Sequence, residues 1–167
     1  IEARQATITA AATDLASNQG GVYRDDPELL EEVANLVEYP TVLCGHFEER
    51  FLDLPAEVLV AVMKKHQRYF PVYAPDGRLL PSFITVRNGD AVHLETVTAG
   101  NEQVLRARFA DAEFFYKHDT QQPLAAYVPQ LATLTFQARL GSMLDKIHRL
   151  EQLTPVVARL LGLTTEE

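Results

Sequence analysis

The stretch GNEQVLRARFADAEFFYKHD, from Gly100 to Asp119, decides the fold of the chain around it. It follows helical spacing for about five turns at 3.6 residues per turn. One stripe of the helix is formed by Leu105, Phe109, Ala112 and Tyr116. Because a solvated surface helix does not need so many aromatic residues, we predict that much of this helix is buried. The aromatic residues concerned are Phe109, Phe114, Phe115 and Tyr116.

A second dense segment, MKKHQRYFPV at 63–72, leads into a predicted hairpin. Residues 69–73 have the composition of a strand, and residues 81–86 form its returning partner. Between them lies Pro75-Asp76-Gly77-Arg78, in which proline presets φ and glycine accepts a positive φ. The pattern therefore predicts a β-hairpin over residues 69–87.

Helices account for most of the remaining chain. The spacing predicts helices over 2–17, from Asp26-Pro27 to about 37, and over 56–67, 92–98, 123–131 and 140–161, with a break or kink at Pro155. Residues 41–44 are a short β-prone segment. The predicted fold class is α+β, a helix-rich mixed domain around a small, largely antiparallel sheet. We predict a core domain at 1–139 and a C-terminal helix at 140–167.

Composition sets limits on the class of protein. The chain has 167 residues and a net charge of -8, with no apolar run of transmembrane length and no signal-peptide pattern. It begins at Ile1, and Cys44 is its only cysteine, so we expect a cytoplasmic piece of a longer protein. Residues 1–58 carry 3 Lys/Arg against 12 Asp/Glu, so the acidic excess lies in the first third. The remainder can therefore still carry an RNA-facing patch.

The sequence predicts no catalytic residue and no metal site. The glycines match no phosphate-binding motif, and one cysteine with five scattered histidines gives no zinc spacing. Cys44 and His46 are two apart on a predicted strand, so they share a face, but a small buried thiol is the better interpretation. His118-Asp119 alone is too short a match to indicate a metal ligand pair.

Basic residues suggest an RNA contact. Lys64, Lys65 and Arg68 lie on the predicted solvent face of the helix at 56–67, and Lys and Arg neutralise phosphates. The predicted contact residues for RNA or a partner subunit are Lys64, Lys65, Gln67, Arg68, Arg87 and Asn88. Arg106 and Arg108 are equally compatible with RNA contact and with internal ion pairs.

Three segments carry a family resemblance: MKKHQRYFPV at 63–72, GNEQVLRARFADAEFFY at 100–116, and TFQARLGSMLDKIHRL at 135–150. In this order they make the chain resemble the beta subunit of bacterial glycyl-tRNA synthetase. That family is a two-subunit ligase that joins glycine to its tRNA with ATP and Mg²⁺. The resemblance implies partners, namely an alpha subunit and glycine tRNA, with no membrane association. It also implies a heterotetrameric holoenzyme.

The resemblance also implies where this chain lies in the larger subunit. Its architecture should be similar to the B3/B4 domain of the phenylalanyl-tRNA synthetase beta subunit, and it should stop just before an HD-like helical domain. The ATP and glycine sites belong to the alpha subunit, so no catalytic residue and no cofactor is expected here. The leading hypothesis is a non-catalytic, structural and tRNA-engaging module. The alternatives are an alpha-subunit interface scaffold without RNA contact, and an editing or hydrolytic domain.

Overall fold

The computed structural model describes residues 1–163, which form two compact units. The first unit is Ile1–Lys117, and the second begins at His118. Residues 164–167 of the predicted C-terminal helix lie outside the described residues.

A four-stranded antiparallel sheet organises the first unit. Its strands run in the order β1-β3-β4-β2 and comprise β1 (Val22–Tyr23), β2 (Pro40–His46), β3 (Phe70–Tyr73) and β4 (Leu79–Asn88). The predicted hairpin is confirmed as β3 and β4. Ala74 N donates to Arg78 O at 2.8 Å, and Gly77 takes a φ of 93° at the turn. The segment at 41–44 extends to seven residues because it pairs with β4 from Pro40 to His46.

One face of the sheet is covered by two helices, α1 (Glu2–Asn18) and α2 (Pro27–Leu36). The predicted end of α1 and the predicted start of α2 are confirmed. Gly20 adopts a left-handed φ of 68° after α1, and Asp26 caps α2 with Pro27 in the first turn. Their apolar stripes meet sheet residues in one buried cluster that includes Ile8, Ala12, Ala16, Leu29, Val33, Phe70, Val72 and Ile84.

The opposite face carries a second core. Here the sheet meets a 3₁₀ helix (Glu49–Asp53), α3 (Ala56–Ala61) and the long helix α4 (Leu94–Asp119). Phe109 of α4 lies 5.0 Å from Phe47 and 5.4 Å from Phe51, measured between ring centroids. Tyr69 stacks on Phe83 with centroids 4.7 Å apart. The whole cluster is Phe47, Phe51, Leu54, Leu59, Met63, Tyr69, Leu79, Phe83, Leu105 and Phe109.

The long helix α4 differs from its prediction in two respects. The separate helix expected at 92–98 is absent, because α4 runs unbroken from Leu94 to Asp119 through Gly100. The prediction of extensive burial is also wrong, because only Leu105 and Phe109 of this helix are buried. The aromatic residues that follow, Phe114, Phe115 and Tyr116, are exposed. Helical spacing identified the stripe, but the second core ends at Phe109.

The second unit contains a 3₁₀ helix (Leu124–Thr133), a two-stranded ribbon of β5 (Thr135–Gln137) and β6 (Gly141–Ser142), and helix α5 (Met143–Leu161). Ser142 and Asp145 form a reciprocal capping box at the start of α5. Of the break or kink predicted at Pro155, the break is wrong, because α5 continues past this residue to Leu161, and the kink stays a prediction.

The α+β fold class is confirmed, whereas the likeness to a B3/B4 domain and the boundary at 139/140 stay predictions. Within residues 1–163, no helix is both long and apolar enough to cross a membrane.

Candidate nucleic-acid interface

The predicted contact residues cluster at an irregular helical turn. After α3, residues Val62–Gln67 form a π-helical turn, which ends at Arg68 with a left-handed φ of 57°. Buried Met63 anchors this turn in the second core. The predicted regular helix over 56–67 is therefore wrong in its second half, and the wider turn redirects the side chains from Lys64 to Arg68.

Lys64 does not face solvent as predicted. Its Nζ lies 2.6 Å from Asp26 Oδ2, and both side chains are partly buried. Asp26 also accepts a hydrogen bond from Leu29 N at 3.1 Å. The Lys64 hydrogen bond, with the Leu29 N–H, lowers the pKa of the Asp26 carboxyl. Lys64 therefore ties the π-helical turn to the start of α2.

Lys65 and Arg68 border an acidic groove. Arg68 Nε lies 2.7 Å from Glu32 Oε1. Lys65 is exposed and, among residues 1–163, makes no ion pair. The groove has a volume of about 250 Å³ and is lined by Asp26, Glu28, Leu29, Glu32, Lys64 and Lys65. Its three carboxylates offset the lysines, so this face does not form the basic patch that the sequence predicts.

Of the remaining predicted contacts, two form internal bonds and the third is partly buried. Arg87 Nη1 donates to Val92 O at 2.6 Å, and Nη2 lies 3.6 Å from Asp90 Oδ1. Asn88 Oδ1 accepts from Glu38 N at 3.1 Å and from Tyr39 N at 3.0 Å. These bonds join the end of β4 to the loop before β2. Gln67 is partly buried and closes the π-helical turn.

A different groove has the chemistry expected of an RNA contact. It lies between the π-helical turn and α4, with a volume of about 280 Å³. Its lining is Val62, His66, Arg108, Asp111, Ala112 and Phe115. Phe115 is 61% exposed, and its ring lies 5.5 Å from that of Phe114 at an interplanar angle of 78°. An exposed aromatic ring beside a guanidinium can stack a base and neutralise a phosphate.

The two α4 arginines, which the sequence leaves undecided, are separated by the structure. Arg106 pairs through Nε with Glu48. The Glu48 backbone N–H and then Arg106 lower the pKa of that carboxyl. Arg108 is exposed and, over residues 1–163, has no ion-pair partner. Arg106 is therefore structural, whereas Arg108 is available to a ligand.

Sequence reasoning missed this groove as a unit. His66 and Phe115 are 49 positions apart, and only the π-helical turn brings the imidazole to the side of α4 that carries Arg108. The available signal was the spacing of Arg108, Asp111, Ala112 and Phe115, which places them on one face of a helix.

Cys44 and His46 do not form a nucleophile and base. His46 Nε2 lies 2.9 Å from Gln19 Oε1, and Cys44 Sγ has only a weak contact with Gly45 O at 3.8 Å. Burial, with a smaller contribution from Glu102, raises the pKa of the Cys44 thiol to about 11. Such a thiol is a poor nucleophile at neutral pH. Among residues 1–163, no group of three His, Cys, Asp or Glu side chains could hold a metal ion.

Comparison with known proteins decides the family. The sequence model for the glycyl-tRNA synthetase beta subunit matches residues 1–167. The chain belongs to this family.

Individual relatives agree with this assignment. The chain is 53% identical over 163 residues to the glycine–tRNA ligase beta subunit of Moorella thermoacetica, covering 98% of this chain and 24% of that protein. It is 48% identical to the beta subunits of Desulforamulus reducens and Gloeothece citriformis, again covering 98% of this chain and 24% of each relative. The chain thus spans about a quarter of the length of these glycine–tRNA ligase beta subunits.

Proposed function

We propose that this chain is a non-catalytic part of a cytoplasmic glycine–tRNA ligase, which uses ATP and Mg²⁺ to attach glycine to its tRNA. In this proposal the holoenzyme is a heterotetramer of alpha and beta subunits, and the alpha subunit forms the adenylate. The groove of His66, Arg108 and Phe115 contacts glycine tRNA. In this proposal the ATP and glycine sites belong to the alpha subunit, so no step of the reaction is assigned to this chain.

The observation that carries the tRNA contact is that Arg108 and Phe115 line the same groove. Arg108 is the cation of this groove and lacks an ion-pair partner among the described residues, while Phe115 offers an exposed ring. Asp111 is the one carboxylate in the lining, so the groove lacks the acidic excess that surrounds Lys65. An unpaired nucleotide suits this combination, since its base can stack while its phosphate meets the guanidinium.

The test compares Arg108→Glu with Arg139→Glu in the purified holoenzyme. Arg139 is also an exposed arginine without an ion pair in the described part of the chain, but it lies in the second unit. We expect Arg108→Glu to raise the KM for tRNA several-fold and to reduce the salt dependence of tRNA binding. Glycine-dependent ATP–pyrophosphate exchange should stay unchanged in both variants.

An unchanged KM for tRNA in Arg108→Glu, in a holoenzyme of normal thermal stability, would refute the tRNA contact. Phe115→Ala provides a second arm, because loss of a stacked base should weaken tRNA binding without changing its salt dependence.

The second candidate is an alpha-subunit interface scaffold without RNA contact. It is favoured by the internal bonding of four predicted contact residues, Lys64, Arg68, Arg87 and Asn88. In that case surface substitutions in the groove should weaken association of the alpha and beta subunits, measured by analytical ultracentrifugation. The affinity of the assembled enzyme for tRNA should then be unaffected.

A further inference from the structure

The second unit lacks a core of its own. From His118 to Leu163, no residue is buried. All buried apolar side chains of the described chain lie at Phe109 or before it. Folded segments normally offset the conformational entropy of ordering by burying apolar surface, and this one buries its apolar side chains only partly, as at Met143, Leu144 and Ile147. Some other surface must therefore supply the missing contacts.

Helix α5 carries six exposed large apolar residues. Its exposed residues Leu150, Leu153, Val157 and Leu160 are separated by 3, 4 and 3 positions. Their exposed fractions are 51%, 57%, 50% and 81%. Alternating steps of three and four place side chains in one narrow stripe, which is the seam that one helix presents to another in a coiled coil.

The helix itself is well specified, so the stripe is not a consequence of fraying. The capping box of Ser142 and Asp145 fixes its start: Ser142 N lies 2.7 Å from Asp145 Oδ2, and Asp145 N lies 3.1 Å from Ser142 Oγ. Gly162 takes a left-handed φ of 69° at its end. The helix is well defined, and its apolar stripe, with spacings of 3, 4 and 3 residues, is uncovered. We therefore expect a second helix to pack against it, since the ridges of one helix fill the grooves of another.

We infer that the stripe of Leu150, Leu153, Val157 and Leu160 is covered by an amphipathic helix from the part of the beta-subunit polypeptide outside these 167 residues. The relatives are about four times as long as this chain, so most of the subunit lies elsewhere. A segment of the same polypeptide is present at a high effective concentration, which suits a contact that has to be permanent. The inference depends on family membership and not on the proposed tRNA contact.

The experiment places a photo-cross-linking benzoylphenylalanine at position 153 of the full-length beta subunit, purified together with its alpha subunit. The matched control carries it at Gln152, an exposed polar position outside the stripe. We expect position 153 to cross-link within the same chain to a helical peptide outside residues 1–167. Position 152 should give at most a trace of that product.

Four other results would overturn the inference. A product with the alpha subunit would make the stripe a subunit interface, and a product between isotopically distinct beta chains would make it a dimer contact. Cross-links confined to residues 1–167, or none at all, would show that no outside segment covers it. As a second measurement, Leu153→Ser should lower the thermal midpoint of the full-length beta subunit by a few degrees, whereas Gln152→Ser should not.

Discussion

Asp26 Oδ2 accepts a hydrogen bond from Lys64 Nζ at 2.6 Å, while Oδ1 of the same carboxylate accepts from Leu29 N at 3.1 Å. One side chain thus starts α2 and also holds the π-helical turn 38 residues later in the sequence. Lys64, which looks like a solvent-facing cation in the sequence, is therefore engaged in an internal ion pair and is only partly exposed.

Substitution of Asp26 should separate these two roles. Asp26→Ala removes the cap and the ion pair and should lower the free energy of unfolding by about 1–2 kcal/mol. Asp26→Asn should cost less, because asparagine is also a good N-cap. Urea unfolding of the 167-residue chain measures both. Equal losses in the two variants would mean that the cap contributes nothing.

The same carboxylate makes stability depend on pH. The pKa of Asp26 is lower in the folded chain than its ordinary value of 3.8. Its contribution to stability is therefore complete above the unfolded pKa and is lost as the pH falls through the folded pKa. We expect the difference in unfolding free energy between wild type and Asp26→Asn to be constant from pH 5 to 7 and to shrink below about pH 4.

Cys44 should react slowly with alkylating reagents. With a thiol pKa of about 11, only about one thiol in a thousand is ionised at pH 8. We expect iodoacetamide to modify the folded chain on the order of a hundred times more slowly than the urea-unfolded chain. The rate should rise about tenfold per pH unit between pH 8 and 10. A rate that levels off near pH 8 would contradict the raised pKa.

Two glycines should respond to alanine in opposite directions. A Cβ at Gly45 would lie 2.5 Å from Cζ of the fully buried Phe83 ring, so Gly45→Ala should destabilise the chain by about 1–3 kcal/mol. At Gly100, inside α4, a Cβ meets nothing within 4 Å. Gly100→Ala should therefore stabilise by about 0.5–1 kcal/mol. Thermal unfolding of both variants checks the pair, and loss of stability in Gly100→Ala would show that this glycine is needed for another reason.

Removal of the Asn88 side-chain oxygen should lower stability and leave tRNA binding unchanged. Asn88→Ala leaves the N–H groups of Glu38 and Tyr39 without their side-chain acceptor and should cost about 1 kcal/mol. Asn88→Asp keeps an acceptor oxygen and should be close to wild type in stability. Neither substitution should change tRNA affinity in the folded holoenzyme. Weaker tRNA binding with unchanged stability would restore Asn88 as a contact residue.

Local chemistry explains which parts of the fold the sequence predicts well. The turn around Gly77 and the Asp26-Pro27 start of α2 depend on residues within four positions of each other, so each is encoded where it occurs. The partners of Lys64 and Arg68 lie 38 and 36 residues away, and no periodicity indicates them. Periodicity identified the aromatic end of α4 but could not indicate that the second core stops at Phe109.

The same limit applies to the candidate site. Arg106 and Arg108 are two positions apart and chemically alike. Arg106 forms an ion pair because Glu48 lies beside it in the folded chain, which the sequence does not indicate. The π-helical turn at Val62–Gln67 also looks like an ordinary helix in the sequence, because its residues have ordinary helical composition. The groove beside Phe115 depends on both of these features.

The strand order β1-β3-β4-β2 has a consequence for biosynthesis. Both outer strands are translated before the hairpin, and each pairs only with a hairpin strand, β1 with β3 and β2 with β4. The N-terminal helices therefore have no complete sheet face to cover until Asn88 has left the ribosomal exit tunnel. Nascent chains that end before this point should be protease-sensitive throughout, and the first unit should become resistant only when α4, which supplies Leu105 and Phe109 to the second core, has also emerged.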